Sequence, residues 1–471
     1  MTTKLLIDGK LVDGASTLDV INPATGQVFA IAPRADAAQA EQAIAAAKAA
    51  FPAWAALSYA DRAAKVSALA EAIEKRSDEF SRLITQEVGK PLIEAGFEVA
   101  ETVDALHFFA AQRLEPKVIR DTAEELIVEQ HYPQGVVAAI TPWNFPVALL
   151  AYKIGAALMA GNPVICKPAP TTPLSTLLIG EIAADIFPAG VFQVLVDQND
   201  LGPLLTSHPS IAHVSFTGST PTGKKVLGSA AETLKRFTLE LGGNDAAIVL
   251  DDIDVKEMAP AIFGAAFINC GQVCFATKRV YAPRHMVDDL AAELARLAKE
   301  AKVGDGLEEG TTIGPIQNKT QFDKVLGFIE SARADGGIFL TGGKVKDGGG
   351  YFIEPTIVTG LAHDARLVRE EQFGPVLPVL PYDSIEEAIG YANEIEYGLG
   401  GIIWTSNVER GAEVASKIET GTIWVNRHLV LPKDVPFGGA KQSGIGVQNG
   451  IEGIEDFTQR RVLSVKKAKA A

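Results

Sequence analysis

Cysteine is scarce in this chain: three residues in 471, Cys166, Cys270 and Cys274. The odd count argues against a framework of paired disulfides and fits a reducing compartment. Cys270 and Cys274 stand four apart, but no further cysteine or histidine lies at ligand spacing beside them, so no metal is expected. Basic residues are also in deficit. Lys and Arg number 43 against 58 Asp and Glu, a net charge of −15, and the positive residues are scattered. That balance disfavours a nucleic-acid backbone or an anionic bilayer as partner. Long apolar runs are missing too: the stretch from Val147 to Met159 falls short of the roughly 20 residues that span a bilayer, and Lys153 interrupts it. At the start, Asp8 arrives before any signal-like apolar segment develops. The expectation is a cytoplasmic protein that binds neither nucleic acid nor membrane.

What is present is the composition of an ordinary globular protein, 47% apolar and 21% charged. The length exceeds the roughly 250–300 residues at which a single core stops growing, so two principal domains are expected. Asp36-Ala37-Ala38-Gln39 reads as a capping box, opening a helix through Ile44, Ala47 and Phe51 that Pro52 should break. A second helix is expected from about Asp61 to Lys75. From Gly135 onward strand patterns at 135–140, 163–167, 191–196, 213–216, 236–240 and 246–250 alternate with helical ones, which predicts a parallel α/β sheet. A further alternating region, with strands near 278–281, 337–340, 376–380, 401–404 and 422–425, predicts a second α/β domain, divided from the first near Gly242-Gly243. In such sheets ligands bind beyond the carboxyl ends of the strands. Asn144, Lys167, Gly218 and Glu240 each fall at or just after a predicted strand end, so four segments converge on one edge.

A G-x-G-x-x-G turn between strand and helix, the usual dinucleotide fingerprint, is absent. The glycines at 304–310 and 444–450 have the wrong last spacing and read as loops. At Phe216-Thr217-Gly218-Ser219-Thr220-Pro221 a strand meets a helix, and free N–H groups with the Ser219 hydroxyl suit a phosphate; Ser219 or Thr220 could equally be a helix N-cap. Lys167 reads either as a ligand for a ribose or phosphate or as a solvent-exposed lysine. Cys274, in Phe267-Ile268-Asn269-Cys270-Gly271-Gln272-Val273-Cys274, lies 34 positions after Glu240, whose segment continues Leu241-Gly242-Gly243. A thiol and a carboxylate beside backbone-permissive residues can form and then hydrolyse a thioester. Cys270 lies one helical turn from Cys274 if that segment is helical.

Together these residues resemble the aldehyde dehydrogenase superfamily, over nearly the whole chain. The resemblance is carried by Thr141-Pro142-Trp143-Asn144-Phe145-Pro146, Lys167-Pro168, Phe216-Thr217-Gly218-Ser219, Leu239-Glu240-Leu241-Gly242-Gly243 and the 267–274 run, then Glu371-Gln372-Phe373-Gly374-Pro375, Trp424-Val425-Asn426 and the 436–444 stretch. It implies a Rossmann-like cofactor domain (1–115 and 133–241), an α/β catalytic domain (242–445) and a small β oligomerisation element (116–132 and 455–471), hence homodimers or homotetramers. It also implies NAD or NADP as cofactor and an aldehyde as substrate. By motif, the nucleophile falls on Cys274, the general base on Glu240 and the oxyanion-stabilising amide on Asn144. Cofactor contacts fall on Trp143, Lys167, Gly218, Ser219 and Glu371, with Phe373 beside the nicotinamide.

The chain departs from the family at two places. Three residues past Lys167 stands Pro170, where many NAD-preferring relatives carry a glutamate for the ribose hydroxyls, so NADP stays open. The usual basic and acidic pair after the 436–446 motif is replaced by Val447-Gln448. Phe145 and Tyr152, with Val273 and Phe275 beside the nucleophile, suggest an apolar tunnel that favours aliphatic or aromatic aldehydes; Arg427 and His428 could instead bring a substrate carboxylate to its mouth. The rival readings are a semialdehyde dehydrogenase, a cysteine hydrolase working without nucleotide, and a catalytically silent protein of the same fold.

Overall fold

The computed structural model describes residues 3–229 and 231–467. The chain opens with β1 (Leu5–Ile7), β2 (Lys10–Val12) and a hairpin, β3 (Ser16–Asn22) and β4 (Gln27–Arg34). Four helices follow: α1 (Ala37–Ala55), α2 (Tyr59–Glu74), α3 (Ser77–Val88) and α4 (Leu92–Ala110). The capping box forms at Asp36 and Gln39, but α1 runs through Pro52 instead of breaking there. The bond lost at Pro52 is offset in the last turn by Trp54, which is buried against Phe187 with ring centroids 5.9 Å apart.

After β5 (Lys117–Asp121) and β6 (Glu125–Pro133) the alternating region begins: β7 (Val136–Ile140), α5 (Ala148–Met159), β8 (Val164–Lys167), α6 (Leu174–Ile186), β9 (Phe192–Val194), α7 (Gly202–Ser207), β10 (Ile211–Thr217), α8 (Thr220–Ser229) and β11 (Arg236–Glu240). The second region holds β12 (Asp245–Val249), α9 (Val255–Phe267), β13 (Thr277–Pro283), α10 (Val287–Glu300), α11 (Lys319–Ala334), β14 (Ile338–Thr341), β15 (Thr356–Thr359), α12 (Arg366–Arg369), β16 (Val376–Tyr382) and α13 (Ile385–Asn393). It continues with β17 (Tyr397–Gly398), β18 (Gly400–Trp404), α14 (Val408–Ala415) and β19 (Thr422–Val425), then β20 (Ala440–Lys441), β21 (Gly444–Ile445), α15 (Gly450–Glu455) and β22 (Thr458–Lys466).

Two large sheets result. The first has the order β2-β1-β9-β8-β7-β10-β11-β21 and is parallel from β9 to β11; the second runs β14-β15-β16-β13-β12-β18-β19 and is parallel except at β14. Strands such as Val136–Ile140 and Val164–Lys167 are buried along their whole length, as expected where helices cover both faces of a parallel sheet. Each sheet has its own apolar core. The chain passes between them at 241–244, but the second region does not keep all of its expected C-terminal stretch. Gly444–Ile445, read from sequence as loop, forms β21 and pairs antiparallel with Leu239 and Glu240 of the first sheet. The 116–132 and 455–471 segments meet in a three-stranded sheet, β22-β6-β5, in which β22 starts at Thr458; the part of that element at 468–471 lies outside the described residues. Among the described residues no helix is long and apolar enough to cross a membrane.

Candidate active site

The carboxyl ends of the first sheet's parallel strands face the amino ends of β12 and β13, and the reactive groups collect along this seam. Cys274 lies just ahead of β13 in a segment that is not α-helical. Residues 268–271 form a single 3₁₀ turn in which Asn269 and Cys270 take left-handed φ values of 49° and 57°. Cys270 therefore does not stand one α-helical turn below Cys274; it is buried, while Cys274 is partly open. Non-glycine residues held in this region cost about 1–3 kcal/mol each and persist where neighbours fix them. Here the Asn269 N–H donates to Glu94 (2.9 Å), the Asn269 side-chain amide donates to Asn144 O (3.1 Å), and Gln272 Nε2 donates to Asn269 O (2.9 Å). From below, Lys278 Nζ donates to the carbonyls of Val273 and Cys274, both at 2.7 Å.

Asn144 follows β7, and its Nδ2 donates to Gln272 O at 2.9 Å, which ties the expected oxyanion donor to the loop of the expected nucleophile. Glu240 ends β11 with its carboxyl buried, and its Oε1 has no hydrogen-bond partner. Burial pushes Glu240 up to about 8; Lys153 opposes this, and Asp456 adds to it. Burial likewise lowers Lys153 to about 7, with Glu240 pulling the other way, and Lys153 Nζ rests on Ser215 Oγ at 3.1 Å. The Cys274 thiol is pushed up to about 12, mainly by burial, with Lys278 working against the shift. The pairing of Lys153 with Glu240 was not foreseen, although an isolated lysine inside the otherwise apolar helix Ala148–Met159 was a readable sign of a buried charge that needs a partner.

Cys274, Glu240 and Asn144 line one cavity of about 250 Å³, together with Phe145, Tyr152, Val273 and Phe275. Thr217, Leu429, Leu431 and Phe437 complete much of the wall. Three carboxylates not foreseen as tunnel residues also line it, Glu94, Glu98 and Glu101. Glu98 is paired with Lys90 (2.7 Å), and Glu101 takes Tyr152 OH and Lys433. Arg427 and His428 do not line this cavity. Arg427 faces a separate concavity with Val430 and Pro432, and His428 is held by Thr277 Oγ1 (3.0 Å) over Trp424.

The candidate cofactor residues lie outside that cavity. Trp143 and Phe373 meet edge to face, centroids 5.4 Å apart. Glu371 accepts the Gly243 N–H (3.1 Å) and lies so close to Gly242 that a Cβ there would meet its Oε2 at 2.5 Å. At the β10–α8 turn a Cβ on Gly218 would meet the Phe216 ring at 2.6 Å, so a side chain there would have to displace that ring, but the Gly218 N–H is not free as expected: it donates to Glu240 O (3.0 Å). Ser219 is exposed, with its hydroxyl 2.9 Å from that of Thr222. Lys167 is not the solvent-exposed lysine of the alternative reading; it is buried at the end of β8, 2.6 Å from Asp197. A strand-to-helix turn with an exposed hydroxyl after β10, a lysine two strands away at the end of β8 and an acceptor carboxylate over a diglycine suit a dinucleotide laid across the strand ends.

Residues 11–463 match the Aldehyde dehydrogenase family. The chain belongs to the aldehyde dehydrogenase family. A Gibberella fujikuroi protein provisionally named aldehyde dehydrogenase FUS7 is 39% identical over 456 residues, 97% of each chain. Among solved structures, an aldehyde dehydrogenase from Bacillus cereus in complex with NAD+ superposes with a TM-score of 0.96 at 36% identity, covering 99% of this chain and 97% of that one. An E. coli enzyme described as NADP dependent does so with the same score at 34% identity, covering 99% and 98%. The fold is thus that of an aldehyde dehydrogenase, with a Rossmann-like and a catalytic unit, and the enzyme oxidises an aldehyde with NAD or NADP.

Proposed function

We propose that this aldehyde dehydrogenase uses Cys274 as nucleophile, Glu240 as general base and Asn144 as oxyanion donor, and releases a carboxylic acid. The observation that carries this is the shared cavity, in which thiol, unpartnered carboxyl oxygen and amide face one space. Cys274 Sγ, its proton released to solvent, adds to the aldehyde carbon, and the carbonyl electron pair moves to oxygen. The Asn144 amide and the Cys274 N–H stabilise that oxyanion; loss of one such donor costs about 10²–10³ in rate. When bound, the nicotinamide supplies the hydride acceptor that lets the adduct become a thioester. Glu240 then takes a proton from water, the water oxygen adds to the thioester carbon, and the Cys274 thiolate leaves. Trp143, Lys167, Gly218, Ser219, Glu371 and Phe373 would hold the dinucleotide beside this cavity.

The substrate class proposed is an apolar aliphatic or aromatic aldehyde. Phe145, Tyr152, Val273 and Phe275 support it, and among the described residues no lysine, arginine or histidine lines the cavity to receive an anionic tail. We further propose a cytoplasmic homodimer or homotetramer. Three free cysteines and the exposed apolar residues of β5 and β22 support that reading. The test is reduction of NAD and NADP by hexanal, benzaldehyde and succinic semialdehyde. Turnover of the first two, lost in Cys274→Ala, is expected; retained turnover in that variant, or ester hydrolysis alone without nucleotide, would overturn the assignment.

A further inference from the structure

The strand order fixes where the two ends of a bound dinucleotide lie. From β7 the chain steps outward to β8 and β9 on one side and to β10 and β11 on the other, so the switch point lies between β7 and β10. Trp143 and Gly218 flank it. Glu240 ends β11, whereas Lys167 ends β8, three strand spacings or about 14 Å away. Lys167 therefore belongs to the end of the groove remote from the thiol, where the adenosine ribose lies in a dinucleotide whose nicotinamide faces Cys274.

At that end the lysine is not a free cation. Lys167 Nζ is 2.6 Å from Asp197 Oδ1, with side-chain exposures of 5% and 0%. Asp197, three residues past β9, also accepts the Leu201 N–H at 2.9 Å through Oδ2, which fixes its orientation. Its Oδ1 makes no hydrogen bond, so the ion pair is that oxygen's main partner. Arg34, the cation reaching the same loop, is held by Asp200 at 2.8 Å. Pro170, where many NAD-preferring relatives carry a glutamate, offers no charge.

We propose that Asp197 makes this enzyme select NAD over NADP, by neutralising Lys167 at the adenosine end of the groove. The proposal rests on the dehydrogenase reading above. A phosphomonoester carries about −1.5 to −2 charges at neutral pH. In a poorly solvated groove it needs net positive charge, and the carboxylate beside Lys167 cancels the charge that would supply it. A ribose diol is neutral and needs only donors and acceptors. A carboxylate absent at position 170 is thus supplied from the loop after the neighbouring strand, a repulsive element that sets the difference between two ligands.

The test is fluorescence titration of wild type and Asp197→Asn with NADH and NADPH, without aldehyde. Asparagine can keep the bond to Leu201 while freeing the lysine's charge. Wild type is expected to bind NADH at least tenfold more tightly than NADPH. Asp197→Asn should tighten NADPH tenfold or more while NADH moves less than threefold. An unmoved ratio, or a ratio narrowed only by loss of NADH, overturns the proposal. If the variant does not fold, calorimetry on wild type with 5′-AMP and adenosine 2′,5′-bisphosphate decides: preference for 5′-AMP supports it, and equal or reversed affinity overturns it. Failure of wild type to bind either dinucleotide would overturn the dehydrogenase reading and this proposal together, whereas tight NADH binding with an unmoved ratio overturns the proposal alone.

Discussion

Burial sets the working pH of Glu240. A carboxyl accepts a proton only when ionised, and with its pKa pushed up to about 8 this one is mostly protonated at neutral pH. The groups that face it are Lys153 on α5, Asp456 after α15, and Cys274. Thioester hydrolysis should therefore rise as pH increases toward about 8 and level off above it, because the active form is the deprotonated one. In Glu240→Gln that limb should vanish and acid release should slow by about 10²–10⁴-fold. The check is a pH series of single-turnover acid release between 6 and 9; an identical limb in the variant would show that another group is titrating. At this scale the sequence was informative about identity. The motif residues Cys274, Glu240 and Asn144 do meet in one cavity. Their protonation was not legible, because it depends on burial and on Lys153, which no local pattern ties to Glu240.

Elements are positioned here by long-range caps. Helices α5 and α6 both begin without a side-chain cap of their own. Glu98 of α4 accepts the Val147 and Ala148 N–H groups at 3.0 and 3.3 Å, and Glu87 of α3 accepts those of Leu174 and Ser175 at 2.8 and 3.1 Å. A buried carboxylate at a helix N-terminus satisfies orphan donors and meets the positive end of the dipole. Glu98 also fixes where the segment carrying Trp143 and Asn144 enters α5, so the helix starts at Ala148 and not directly after the motif. Sequence periodicity located most strands and helices to within a few residues, yet the partners of these caps are 49 and 87 positions away and lay beyond any local reading. Glu98→Ala should destabilise the fold by about 3–5 kcal/mol, because it strands the fully buried Lys90 as well as the two N–H groups. Lys90→Met in the same chain should recover part of that loss in urea unfolding; no recovery would mean that the ion pair is not the source.

For the molecule as a whole, the sequence showed two α/β regions because strand and helix periods alternate twice. It did not show that the site lies where the carboxyl ends of one sheet meet the amino ends of the other, nor that β21 returns to the first sheet, since both depend on pairing between distant segments. The small β22-β6-β5 sheet leaves Val118, Ile119, Val462 and Val465 exposed on two edge strands. Edges of this kind invite a partner strand. The double variant Val462→Lys with Val465→Lys should therefore shift the enzyme to a smaller species by light scattering, and an unchanged mass would place the interface elsewhere.

The central claim, that Cys274 carries the acyl group and Glu240 releases it, is tested most directly by mass spectrometry of Glu240→Gln after mixing with hexanal or benzaldehyde and NAD or NADP. The account predicts one acyl group on the peptide containing Cys274, formed in step with one equivalent of reduced cofactor. Reduced cofactor produced with no adduct, or an adduct on another residue, would contradict it.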